Sequence, residues 1–173
     1  MRKLSDRLVY LLVKLFLEVV RILPCPVGYS LCKFLATCFF WIDREHRRVG
    51  MTNLNIAFPH KSEDWRRSIL LRSFQQLGDH VVEVSRLQYL KKAELVKRVS
   101  YEEDRGLENY LEAKKHGKGI LFLAAHISAW ELLPIAHAAY GHPLNIVVRP
   151  LDNPWLEAWA TGLRSRFGNR VLA

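Results

Sequence analysis

Residues 4–23 are strongly apolar, yet beyond Asp6 four charges, Arg7, Lys14, Glu18 and Arg21, interrupt them. At roughly 100° per residue these four charges fall within about 60° of one another on a helix. The rest of that helix is largely Leu, Val, Ile and Phe. A narrow polar stripe on a wide apolar cylinder suits a helix lying in a membrane interface better than one spanning it. The charges also break the uninterrupted apolar run a span requires. Lys14 and Glu18 would fall in the apolar core of a cleavable signal peptide, which argues against one. Pro24 and Pro26 stop the helix. Residues 27–42 make a second apolar segment containing Lys33 and ending in Phe39, Phe40 and Trp41, aromatics suited to the headgroup level. The competing reading is a pair of core helices in a soluble bundle.

Charge is needed to choose the surface this part faces. Residues 1–100 carry 18 Lys and Arg against 9 Asp and Glu, whereas residues 101–173 carry 8 of each. The excess positive charge therefore belongs to the first hundred residues and points to an anionic partner, a membrane leaflet or a nucleic acid. Nucleic-acid binding wants basic residues on a polar face or loop with exposed aromatics. No such element stands out, so the membrane is expected and nucleic acid is not. Cys25, Cys32 and Cys38 have neither zinc-ligand spacing nor a disulfide pattern and read as small apolar side chains.

From residue 43 onward the chain turns polar and helical. Arg44, Arg47 and Arg48 lead into a helix that Pro59 closes. Ser62, Glu63 and Asp64 read as the cap of a long amphipathic helix over about 65–90. Arg66, Arg67, Arg72 and Arg86 keep that helix basic. Most such charges are solvated, but a subset beside a membrane can hold lipid phosphates. Asp79, His80 and Glu83 lack a second His at ligand spacing and read as a solvated helix face rather than a metal site.

The character changes near residue 100. Residues 106–117 read as a helix ending at a glycine, and 119–125 as a short buried strand. His126 follows that run, and residues 127–131 open another helix. Residues 145–148 form the next expected strand, Asn153 and Pro154 start a further helix, and 170–173 enter a third strand. This alternation is that of an α/β fold with a parallel or mixed sheet and flanking helices. The expected organisation is therefore membrane-associated helices over 1–42 and an α/β domain over 43–173, with a sheet that looks incomplete at its carboxyl end.

In such sheets sites lie beyond the carboxyl ends of the strands, where His126 and Arg149 fall. A carboxylate in the first turn of the next helix, Glu131, can fix the tautomer of His126. The other ring nitrogen can then take a proton from an attacking hydroxyl, which is general-base catalysis. Ser128 and Glu131 equally spell a capping box, in which Glu131 would bond only the backbone. Spacing alone leaves both readings open.

His126-Ile-Ser-Ala-Trp-Glu131 resembles the HxxxxE motif of the bacterial lipid A biosynthesis acyltransferases, the lauroyl and myristoyl transferases. Arg48 with Asn53, Leu54, Phe58 and Pro59 is similar to their early helical region. Val147-Val-Arg-Pro-Leu-Asp-Asn-Pro154 is similar to the stretch after their second core strand, and 164–168 to the following helix. The resemblance implies an enzyme on the cytoplasmic face of the inner membrane. It would move a fatty acyl group from acyl carrier protein to a hydroxyl of an anionic glycolipid acceptor, with no cofactor or metal. It implies His126 as base, Glu131 as its orienting partner, and Arg149 and Arg164 as substrate-binding residues. Ser128-Ala129 stands where the family usually carries Gly-Asn, and family members continue past the point matching Ala173. The same chemistry on another lipid, such as a phosphatidylinositol mannoside, is one alternative. A catalytically silent membrane-associated relative is the other.

Overall fold

A computed structural model describes residues 2–101, 105–127 and 129–172. The chain divides into two compact units, Met1–Gln88 and Tyr89–Ala173.

The first unit is helical: α1 (Arg2–Ile22), α2 (Cys25–Ile42), α3 (Arg44–Ala57) and α4 (Glu63–Leu87). Local chemistry sets each boundary. Pro24 and Pro26 flank the start of α2, where a missing N–H costs nothing. Asp43 caps α3, its carboxylate accepting from the His46 backbone N–H at 3.0 Å and lying 2.7 Å from Nδ1 of the same residue. These bonds to His46, the backbone one first, hold the Asp43 pKa below the ordinary carboxylate value. Ser62 caps α4 by accepting from the Trp65 N–H, as its sequence leads one to expect.

Helix α4 is the spine of this unit, with α2 packed along it. Val20, Cys32 and Val82 form one buried cluster and Phe40, Leu70 and Phe74 another. The Phe40 and Phe74 rings meet edge to face at 5.3 Å, a favourable aromatic geometry. The closest backbone approach is at Gly78, where an added Cβ would sit 2.6 Å from the Cys32 carbonyl oxygen. Asp79 pairs with Lys33 at 3.3 Å, and Glu83 accepts from the Tyr29 hydroxyl. Of the three free thiols Cys32 is buried, Cys25 exposed and Cys38 in between.

Helix α1 buries Leu17 and Val20 in the unit, and its charged stripe runs beside them. Lys14 donates to the Gln88 amide oxygen at 2.8 Å, Gln88 donates to Glu18, and Glu18 pairs with Arg21 at 2.7 Å. Lys14, Glu18 and Arg21 are thus engaged within the unit. Leu4, Leu8, Leu11, Leu12, Leu15 and Ile22 instead point outward, Leu4 at 77% exposure and Leu15 at 63%. Helix α2 is long and apolar enough to cross a membrane, by length and composition, and little of it is buried.

The second unit contains α5 (Lys92–Arg98), α6 (Gly106–Lys115), α7 (Leu132–Ala139), β1 (Asn145–Val147), α8 (Pro154–Arg164) and β2 (Arg170–Leu172). The strands pair in parallel with Ile146 opposite Val171, and α8 is the crossover between them. The expected helices over 106–117 and from Asn153 and Pro154 are present, as are strands in the 145–148 and 170–173 regions. Asn153 Oδ1 accepts from the Trp155 and Leu156 N–H groups. Among the described residues the sheet holds only these two strands, so the protein is mostly helical with a small parallel α/β element.

The expected strand at 119–125 is not a strand. Residues 119–125 are irregular, and Leu121 and Leu123 are fully exposed. A strand is stabilised by a neighbour's hydrogen-bonding edge, and this run pairs with no strand among the described residues.

Buried Ile135, Ala136, Ala138 and Ala139 anchor α7. His137 is buried with them, its Nδ1 2.5 Å from the Tyr101 hydroxyl and its ring edge-on to Tyr110 and Phe122. Burial, with a smaller contribution from neighbouring His142, pushes the His137 pKa down and favours the neutral ring.

Candidate functional site

Glu131 sits at the N-cap position of α7 and makes no side-chain capping bond. Helix α7 starts at Leu132, directly after Glu131, and the capping-box reading of Glu131 needs Ser128 as well. Ser128, its proposed partner, lies outside the described residues.

The Glu131 carboxylate instead accepts a bidentate pair of hydrogen bonds from Arg164, in the last turn of α8. Nε lies at 3.0 Å and Nη2 at 2.6 Å. Each side chain is only 16% exposed. Planar fork-to-carboxylate pairing is among the strongest protein hydrogen bonds. The Arg164 pKa is raised above its ordinary value, the Glu131 hydrogen bond being the largest cause and burial opposing it. A carboxylate has about four lone-pair sites, so two remain for another donor.

A second buried polar group fixes the joint beneath this pair. Asn169 Oδ1 accepts from the Leu144 N–H at 2.8 Å, and its Nδ2 donates to the Pro134 and Arg164 carbonyls. One amide thereby ties α7, the entry to β1 and the end of α8 together. Phe167 and Gly168 have positive φ and turn the chain sharply into β2. Sequence reasoning passed over Asn169, whose partners Leu144 and Pro134 are 25 and 35 residues away.

His126 lies on the surface next to Trp130, with ring centroids 5.2 Å apart. Among the described residues no hydrogen bond joins it to Glu131. Arg149 is exposed and pairs loosely with Asp152 at 3.4 Å. Its loop is clamped by Glu157, which accepts from the Leu151 N–H at 2.7 Å and from the Thr161 hydroxyl at 2.8 Å. Those bonds, the backbone one foremost, lower the Glu157 pKa. Of the four sequence-derived residues, Glu131 and Arg164 are brought together, while among the described residues neither His126 nor Arg149 makes a hydrogen bond with that pair. Among the described residues no three His, Cys, Asp or Glu side chains gather as a metal site.

The arrangement is a part-buried, oriented ion pair at the end of a parallel β–α–β unit, with a histidine five residues before its carboxylate. The family of bacterial lipid A biosynthesis acyltransferases matches this sequence over residues 1–173, and the chain belongs to it. It is 28% identical to a lipid A biosynthesis acyltransferase of Haemophilus influenzae, over 77% of this chain and 42% of that protein. It is 26% identical to the lipid A biosynthesis lauroyltransferase of Escherichia coli, over 79% of this chain and 44% of the relative. The E. coli lipid A biosynthesis myristoyltransferase is also 26% identical, over 76% and 40%. The chain spans about half the length of the curated relatives it matches. No solved structure matches it.

Proposed function

We propose that the protein transfers a fatty acyl group from acyl carrier protein to a hydroxyl of a lipid A precursor at the cytoplasmic face of the inner membrane. The observation that carries this reading is the family match over the whole chain.

His126 accepts the proton of the acceptor hydroxyl as its oxygen attacks the thioester carbonyl. The C–O bond forms, the C–S bond breaks, and the imidazolium returns the proton to the departing thiolate. General-base participation of this kind contributes typically ~10²–10⁴-fold in rate. Glu131 holds Arg164 in place and uses its remaining lone pairs to orient the His126 ring during reaction. Arg164 and Arg149 supply positive charge for the acceptor's anionic groups and the developing oxyanion. The outward leucines of α1 and the exposed apolar length of α2 bring the enzyme to its lipid substrate.

The test is transfer of labelled acyl groups from acyl carrier protein to a lipid A precursor. His126→Ala is expected to lower the rate at least ~10²-fold while leaving vesicle binding unchanged. Undiminished transfer would remove His126 from the mechanism. A catalytically silent relative is the second reading, favoured by the absence of a hydrogen bond between His126 and Glu131. In that case the unsubstituted protein shows no transfer in the same assay.

A further inference from the structure

Where α2 gives way to α3, the first unit carries an open, solvent-facing cavity of about 340 Å³. Four guanidinium side chains line it, Arg44, Arg47, Arg48 and Arg67, against a single carboxylate, Glu63. Its apolar wall includes Phe40 and Leu70, both buried in the α2–α4 core. None of the five charged groups forms an ion pair among the described residues.

Two of the arginines have structural work. Arg47 donates to the Phe40 and Trp41 carbonyls at 2.7 and 2.8 Å, capping the end of α2. It also lies over both of their rings, and Arg67 lies over the Trp41 ring at 5.3 Å. Arg44 and Arg48 make no such contact among the described residues. They stand four apart on α3, a like-charge spacing that destabilises a helix. Both are exposed, which leaves their guanidinium forks open to an anion at the cavity.

We propose that this cavity binds the phosphate of a lipid headgroup at the membrane surface, an assignment resting on the membrane association argued above. Planar guanidinium forks match phosphate oxygens bidentately. The cavity adjoins the aromatic end of α2, with Phe39 and Trp41 exposed beside it, and aromatics of this kind sit at headgroup depth. The lipid phosphate has two sources, the phosphodiester of an anionic phospholipid and the phosphate of the glycolipid acceptor.

Co-sedimentation of the protein with three vesicle types separates them: phosphatidylcholine alone, phosphatidylcholine with phosphatidylglycerol, and phosphatidylcholine with a phosphorylated lipid A precursor. A cation near an anionic surface contributes roughly fivefold in binding, so the double variant Arg44→Gln, Arg48→Gln should lose about 25-fold. That loss should fall on an anionic increment only, with phosphatidylcholine binding unchanged. The vesicle whose increment falls identifies the source. Arg44→Lys, Arg48→Lys keeps the charge without the fork and should lose part of the increment. Lys114→Gln, Lys115→Gln removes the same charge from α6 and should leave it intact. Anionic increments that survive in the Gln variant, or fall equally in the α6 control, overturn the proposal. If the unsubstituted protein ignores phosphatidylcholine vesicles, the apolar-face reading fails. In that case an anionic increment lost in the Gln variant still supports the cavity.

Discussion

At the scale of single residues, the Glu131–Arg164 pair carries the most information. Both groups are largely removed from water, so each depends on the other for compensation. Removing one partner of a buried pair leaves an uncompensated charge and costs about 3–5 kcal/mol, whereas replacing both is often nearly neutral. The pair is part-buried, so Glu131→Gln or Arg164→Met alone should lower the unfolding free energy by about 1–3 kcal/mol. The double variant should recover most of that loss. A double-mutant cycle in chemical denaturation reads the coupling directly. Additive losses would mean that the 2.6 Å contact contributes no stability. The pair was hard to see in the sequence, because 33 residues separate its members and no periodicity links a helix start to the end of a later helix. Each residue was nonetheless singled out, from the position of Glu131 after His126 and from the family resemblance at Arg164. Asn169 was missed for the same reason: its partners, Leu144 and Pro134, lie in elements it meets only after folding.

At the scale of elements, the packing of α2 on α4 turns on one glycine. Gly78 brings α4 against the backbone of α2, and an added Cβ would lie 2.6 Å from the Cys32 carbonyl oxygen and 2.8 Å from its carbon. The obstructing atoms are backbone, so the helices must separate. Gly78→Ala should destabilise the protein by about 1–3 kcal/mol despite alanine's better helix propensity. The contrasting site is Gly50, where the nearest atom is the tip of the Leu70 side chain, which can rotate away. Thermal denaturation of the two alanine variants compares them. A Gly78→Ala protein as stable as Gly50→Ala would contradict the close approach. Helix boundaries such as Ser62, Asp43, and Asn153 with Pro154 were legible because a cap acts within three residues of itself. The apolar run 119–125 was misread for the opposite reason. Apolar residues make a strand possible, but the ladder partner that makes it real is encoded elsewhere in a chain.

At the scale of the molecule, the decisive feature is that α1 buries only Leu17 and Val20 among its described residues, bonds Lys14 and Glu18 to Gln88 at the end of α4, and leaves its wide apolar face outward. A soluble amphipathic helix turns its wide apolar face inward. In water, this orientation would leave Leu4, Leu8, Leu11, Leu12, Leu15 and Ile22 exposed along one helix, far more contiguous apolar surface than a soluble monomer ordinarily shows. In a membrane interface the same orientation is favourable twice, since the leucines leave water and the Lys14–Gln88–Glu18 bonds stay shielded. The basic excess of residues 1–100 adds attraction to an anionic leaflet without fixing the helix's rotation. The two contributions separate by experiment. Burying one leucine side chain is worth about 1.5–3 kcal/mol, so Leu8→Glu with Leu15→Glu should weaken binding to uncharged phosphatidylcholine vesicles at least ~100-fold. Both positions face outward, so helix content and thermal stability in solution should hold. Leu17→Ala, at a buried position on the same helix, should show the opposite pattern, with lower stability and retained vesicle binding. Vesicle binding of the double glutamate variant within tenfold of the original would place the outer face of α1 against something other than lipid.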